Sequence, residues 1–131
     1  MKYLLLLYGD EAQWADATPE DLQKSMDGYV ALDKEVNEAG VLVSGEGLEP
    51  SSAATTLRVR DGETMLTDGP FAETREQLGG FYLLDCRDLD EAVEWAKKIP
   101  AAYDGSIEIR PVMNYDEYGY EQADEADKAR S

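Results

Sequence analysis

The sequence predicts an α+β fold in which two helices cover one face of a four-stranded sheet and a β-hairpin is inserted between strands. Three observations carry this. Short segments at residues 1–8 and 79–85 are apolar at both strand parities, as in strands covered on both sides. Two longer segments place apolar residues at helical spacing behind N-capping signals. The dipeptide Asp61-Gly62 stands between two β-prone runs, a strong short-range hairpin signal.

In the first strand, residues 1–8, Tyr3, Leu5 and Leu7 fall on one face and Leu4, Leu6 and Tyr8 on the other. A loop at 9–17 carrying Trp14 follows. Thr18 as N-cap, Pro19 at the first helical position, and Glu20 and Asp21 in the first turn then open a helix. Its core-facing stripe is Leu22, Met26, Tyr29, Val30, Ala31, Leu32 and Val36, and Gly40 caps its end. Residues 41–44 read as the second strand, ending in a Gly45-Glu46-Gly47 turn.

The hairpin strands, 55–60 and 63–67, deliver the chain to Asp68-Gly69-Pro70. There Asp accepts from nearby backbone N–H groups, Gly permits positive φ and Pro presets its own. Glu73, Arg75 and Glu76 form a charged run before the strand at 79–85. Asp88, with Glu91 three residues on, starts a second helix reaching about Lys98, with a stripe of Leu89, Ala92, Val93, Ala96 and Ile99 and a stop at Pro100. Residues 107–112 are the last strand. From Asn114 the periodicity ends, and residues 114–131 hold six acids against two bases, the composition of a disordered or surface-draped tail, with disorder expected beyond Tyr120.

Without the hairpin, the order is βαββαβ, the ferredoxin-like split pattern. Two helices cover one face of such a sheet. The apolar residues on the other face need a partner, and a second copy of the chain is the economical one.

A length of 131 residues suits one domain, here residues 1–113 with the tail 114–131 beyond it. The chain has no histidine and one cysteine, Cys86, so one copy cannot build a Ser-His-Asp triad, a Cys-His pair or the usual zinc site. Carboxylates, Tyr, Lys and Arg remain as acids, bases and electrostatic groups, and no cofactor or metal is expected. The net charge of −17 argues against nucleic acid and against anionic membranes. No apolar run is long enough for a membrane span or a signal peptide, so a cytoplasmic protein is expected.

The tetrapeptide Asp68 to Phe71, DGPF, continuing into AETREQLGGFYLLD and later into Ile109-Arg110-Pro111-Val112, closely resembles the DGPF branch of the YCII-related proteins. The resemblance covers roughly residues 1–113. It implies a homodimeric α+β barrel with two sheets face to face and a ligand cleft between sheet, hairpin and partner. It also implies an association with extracytoplasmic-function sigma factors. Smaller YCII proteins are proposed to use a His-Asp dyad for lyase- or dehydrochlorinase-type proton abstraction, and this chain has no His to match it.

Asp68 is the first candidate catalytic residue, as a cleft base raised by apolar neighbours such as Phe71, or as the cap of its own turn. Glu46, held between two glycines, is the second. Phe71, Glu73, Arg75 and Arg110 are the candidate ligand-binding residues, with Glu73 and Arg75 as a polar rim or a solvated run. An inward Arg110 would seek Glu46, Glu73 or Asp68 as its partner. The expected function is binding of a small polar or anionic molecule, with or without carboxylate acid/base chemistry. The alternative is a non-catalytic interaction module that meets a basic protein surface.

Overall fold

The computed structural model describes residues 1–119. The chain runs β1 (Lys2–Gly9), α1 (Glu11–Ala15), α2 (Pro19–Glu38), β2 (Leu42–Gly47), β3 (Thr55–Arg60) and β4 (Glu63–Asp68). It continues through β5 (Gln77–Asp85), α3 (Leu89–Ala96), α4 (Ala101–Asp104) and β6 (Ser106–Pro111). β2, β5, β1 and β6 lie in that order in one antiparallel sheet, while β3 and β4 pair separately. This is the ferredoxin-like arrangement with an inserted hairpin.

Side-chain alternation along β1 and β5 divides the apolar residues between two faces. Tyr3, Leu5, Leu7, Tyr82 and Leu84 are buried against Leu32 and Val36 of α2, Ala92 and Ala96 of α3, and Ile99. Burial of these aliphatic and aromatic groups supplies the main folding drive. On the opposite face Leu4 stands across from Leu83 and Leu6 across from Phe81, all four only half-buried. Glu108 and Arg110 of β6 flank that row beside Leu6 and Leu4.

The caps form as the sequence specifies. The Thr18 hydroxyl accepts from Asp21 N–H at 3.1 Å, and the Asp21 carboxylate accepts from Thr18 N–H at 3.3 Å. Asp88 accepts from Glu91 N–H at 2.9 Å. The Glu91 carboxylate accepts from Arg87 N–H and from the Trp95 indole, which hold its carboxyl below the usual range. In the hairpin Asp61 (φ 53) and Gly62 (φ 77) both take the left-handed conformation that a two-residue turn requires.

Four expectations are corrected. The loop at 9–17 contains α1, because Asp10 caps it by accepting from Ala12 N–H at 2.9 Å. Gly45-Glu46-Gly47 is not a turn: β2 continues through it, with Glu46 opposite Phe81 and Gly47 opposite Gly80. The second helix already ends at Ala96, and Pro100 instead opens α4. Leu22 and Met26 are exposed because α2 packs on the sheet only through its second half, at Tyr29, Leu32 and Val36, and Val30 is exposed on the outer side of that half. Residues 115–118 form a single 3-10 turn, and the disorder expected beyond Tyr120 lies outside the described residues.

β5 depends on the absence of a side chain at Gly80. A Cβ there would sit 2.8 Å from the Glu46 carbonyl oxygen and 3.4 Å from Gly47 Cα, whereas one at Gly47 would meet nothing within 4 Å. Gly80→Ala is therefore expected to lower stability by about 1–3 kcal/mol in urea denaturation, as overpacked sites do, while Gly47→Ala leaves the midpoint nearly unchanged. Equal effects at the two positions would contradict the strand geometry.

Candidate functional site

A cavity of about 560 Å³ lies between α2, from Leu22 to Asp33, and the end of the sheet where β1, β2 and β5 meet. Its existence follows from local sequence. Gly45, Gly47, Gly79 and Gly80 line it along two neighbouring strands, so its floor is largely bare backbone. Above that floor stand Leu22, Ser25, Met26, Tyr29 and Asp33 of α2. Trp14 of α1 and Tyr8 at the end of β1 also line it.

α1 is fixed to the rest of this end of the molecule by side chains. The Glu11 carboxylate accepts from both the Ser51 N–H and the Ser51 hydroxyl, each at 2.7 Å. The Glu11 N–H in turn donates to Gln77 Oε1 at 3.0 Å. Trp14 is thereby held over Gly9, where an added Cβ would lie 3.6 Å from its indole nitrogen.

The polar centre of the wall is a pair that sequence reasoning missed: the Tyr82 hydroxyl donates to Asp33 Oδ1 at 2.7 Å. Burial raises the Tyr82 phenol well above its ordinary value, and the Asp33 hydrogen bond and charge push it further. Tyr29 is also raised, by burial first, against a backbone hydrogen bond with Ala101 that lowers it. Neutral phenols at these positions present hydroxyl groups, while Asp33 presents carboxylate oxygen. Helical spacing does place Tyr29 and Asp33 four residues apart on one face of α2, but nothing local joins Asp33 to Tyr82, 49 residues away.

Of the six residues singled out in the sequence, only Glu46 lines this cavity. It lies on edge strand β2 and pairs with Phe81. Asp68 ends β4 and is exposed. Its turn is held by Gly69 N–H donating to the Ala54 carbonyl at 2.7 Å and by the Thr56 hydroxyl donating to the Gly69 carbonyl at 2.8 Å. Neither bond uses the Asp68 carboxylate. Phe71 is 77% exposed, and Glu73 and Arg75 are exposed beside it.

The expected inward Arg110 is also corrected. It projects from the open face of the sheet, 69% exposed, and meets Glu108 at 3.5 Å rather than Glu46, Glu73 or Asp68. The reason is register: Ile107 and Ile109 take the helix side of β6, which leaves Glu108 and Arg110 to the other. Cys86 is buried, and burial, then the Glu91 and Asp85 charges, raise its thiol, which suits a packing residue rather than a nucleophile. Among the described residues no group of three His, Cys, Asp or Glu is placed to hold a metal ion, and no helix is long and apolar enough to cross a membrane.

Comparison with known proteins gives three findings. A family model described as YCII-related domain matches residues 1–116. An uncharacterized protein of Rhizobium meliloti (strain 1021) is 44% identical over 117 residues, covering 88% of this chain and 94% of the relative. The solved structure of 5-chloro-2-hydroxyhydroquinone dehydrochlorinase (TftG) from Burkholderia phenoliruptrix AC1100, in complex with 2,5-dihydroxybenzoquinone, is similar at 14% identity and TM-score 0.45. That similarity covers 86% of this chain and 94% of the dehydrochlorinase chain.

The Tyr82–Asp33 bond has a pH signature. A raised phenol favours its neutral form in the folded state, so its contribution is whole below the unfolded value of about 10. It is lost as pH rises through the higher folded value. Tyr82→Phe is expected to cost about 1 kcal/mol at neutral pH and to make the alkaline fall in stability shallower. Denaturant midpoints measured from pH 7 to pH 11 check this, and an unchanged alkaline slope would contradict it.

Proposed function

The chain belongs to the YCII-related family, and we propose that it is a homodimeric small-molecule-binding protein whose ligand occupies the cavity between α2 and the glycine floor. The observation that carries the reading is the cavity itself. About 560 Å³ of space lies between α2 and the glycine end of the sheet, with a largely apolar and aromatic lining and few polar groups. Such a combination is the usual form of a small-molecule site.

If the site performs chemistry, its acid/base groups are carboxylates. Asp33 is already hydrogen-bonded to Tyr82, so a proton taken by the carboxylate and one given by the phenol would belong to the same pair. Glu46 borders the floor through its backbone, and its pairing with Phe81 puts its side chain on the open face of the sheet. Asp68, Phe71, Glu73 and Arg75 would take part only through a second copy.

The dimer in this proposal forms through the open sheet face. Leu4, Leu6, Phe81 and Leu83 form an apolar row at its centre, and Glu108 and Arg110 provide charged groups of both signs at its border. The arrangement suits an apolar interface centre with a polar rim.

A second reading, an interaction module without chemistry, draws on the hairpin. Leu57 and Leu66 stand opposite one another and share a face with Val59, and all three are exposed. A basic protein partner would suit the acidic chain around them.

The two parts of the proposal are tested separately. Sedimentation equilibrium is expected to give twice the chain mass of 14.5 kDa, and Leu83→Lys is expected to halve it. A wild-type monomer at micromolar concentration would remove the dimer. For the cavity, a fragment screen read by thermal shift is expected to yield binders that Gly47→Leu no longer binds, since the new side chain enters the space. A ligand at about 100 times its Kd adds about 2.7 kcal/mol of stability. Binders indifferent to Gly47→Leu would contradict the cavity as their site.

A further inference from the structure

The polar character of the cavity wall is one-sided. Trp14, Tyr29 and Tyr82 supply aromatic surface and Glu11 and Asp33 are acidic, whereas among the described residues no Lys or Arg lines the space. Arg110, the residue the sequence offers as an anion anchor, is on the far side of the sheet and shares its charge with Glu108. Arg58 and Arg60 of the hairpin, Arg75 of the loop after it and Arg87 just past β5 do not reach the lining either.

Resting on the cavity reading above, we infer that the ligand is an apolar molecule bearing a positively charged amine, and that the site rejects carboxylates and phosphates. Two physical terms act in the same direction. Ring faces of Tyr and Trp attract a cation through their quadrupoles, and more strongly once it is desolvated. Asp33 offers the ammonium a charge-assisted acceptor, since a carboxylate hydrogen-bonded by one phenol retains further lone pairs. An anion entering the same space would lose its water without gaining a cationic partner, in a chain whose net charge is −17. The aromatic walls and bare floor accept the flat apolar body in either case. Charge, rather than shape, is what the lining discriminates.

The test uses three probes of nearly the same size and different charge: phenethylamine, 2-phenylethanol and phenylacetate. Each is titrated calorimetrically into the full-length wild-type protein at pH 7, and into Gly47→Leu and Asp33→Asn, whose folding is checked by circular dichroism. The expected order of affinity is amine, alcohol, acid, with the amine at least tenfold tighter than the acid. Asp33→Asn is expected to reduce that ratio at least threefold, and Gly47→Leu to abolish binding of the amine. Because the order is measured on the wild-type protein, misfolding of a variant leaves the comparison intact.

Phenylacetate binding as tightly as phenethylamine, or more tightly, would overturn the charge inference while keeping the cavity as a site. Amine binding that persists in Gly47→Leu would overturn it too, by showing attraction to the acidic surface. If none of the three probes binds, this inference falls. The cavity reading itself falls only if the broader fragment screen also yields no binder sensitive to Gly47→Leu.

Discussion

The approach of β5 to β2 at Gly80 is the constraint on which most of this molecule rests. With 2.8 Å between a hypothetical Cβ and the Glu46 carbonyl oxygen, the strands pair in this register only because position 80 has no side chain. The register then fixes which residues of β5 face the helices. Tyr82 and Leu84 enter the core, and Phe81 and Leu83 take the opposite side. A slip of one residue would exchange these sets and bring the wrong side chains to α2. The same bare positions that permit the pairing also leave the end of the sheet uncovered by side chains, and the cavity is the result.

The sheet therefore presents two unlike surfaces to whatever binds it. Its helix side is filled by the core at one end and open over glycine at the other, beneath the overhanging half of α2. Its other side is a continuous apolar row with an exposed ion pair at the β6 edge. In water such an exposed pair contributes little to stability. α1 closes one end of the cavity because Glu11 is held by both Ser51 groups and by Gln77, linking three segments distant in sequence. The aromatic wall at Trp14 is thus a tertiary product, supported by polar bonds rather than by helix length.

The elements that local rules govern were legible in the sequence. The capping box at Thr18 and Asp21, the N-cap at Asp88 and the Asp61-Gly62 turn each depend on residues within a few positions, and each forms. The two-sided apolar pattern of β1 and β5 likewise identified the central strands. What could not be read depends on distant partners. Gly45-Glu46-Gly47 has turn composition, yet pairing with β5 extends it as strand. Leu22 and Met26 have the spacing of core residues, but the glycines opposite them offer no side chains to pack against. The Tyr82–Asp33 bond joins a strand to a helix across the fold, and neither residue carries a local signal of it. Asp68 drew attention because its turn is distinctive, and that turn is held by backbone groups and Thr56.

The central claim is that ligands enter over the glycine floor and not at the Asp68 turn. The most direct measurement is a map of backbone amide shifts in two-dimensional nitrogen-proton NMR as bound fragments are titrated into the labelled protein. The account predicts that the largest shifts fall on Gly45, Gly47, Gly79 and Gly80, with Asp33 and Tyr82 beside them. Shifts centred on Gly69, Phe71, Arg75 and Arg110, with the glycine amides unmoved, would contradict it.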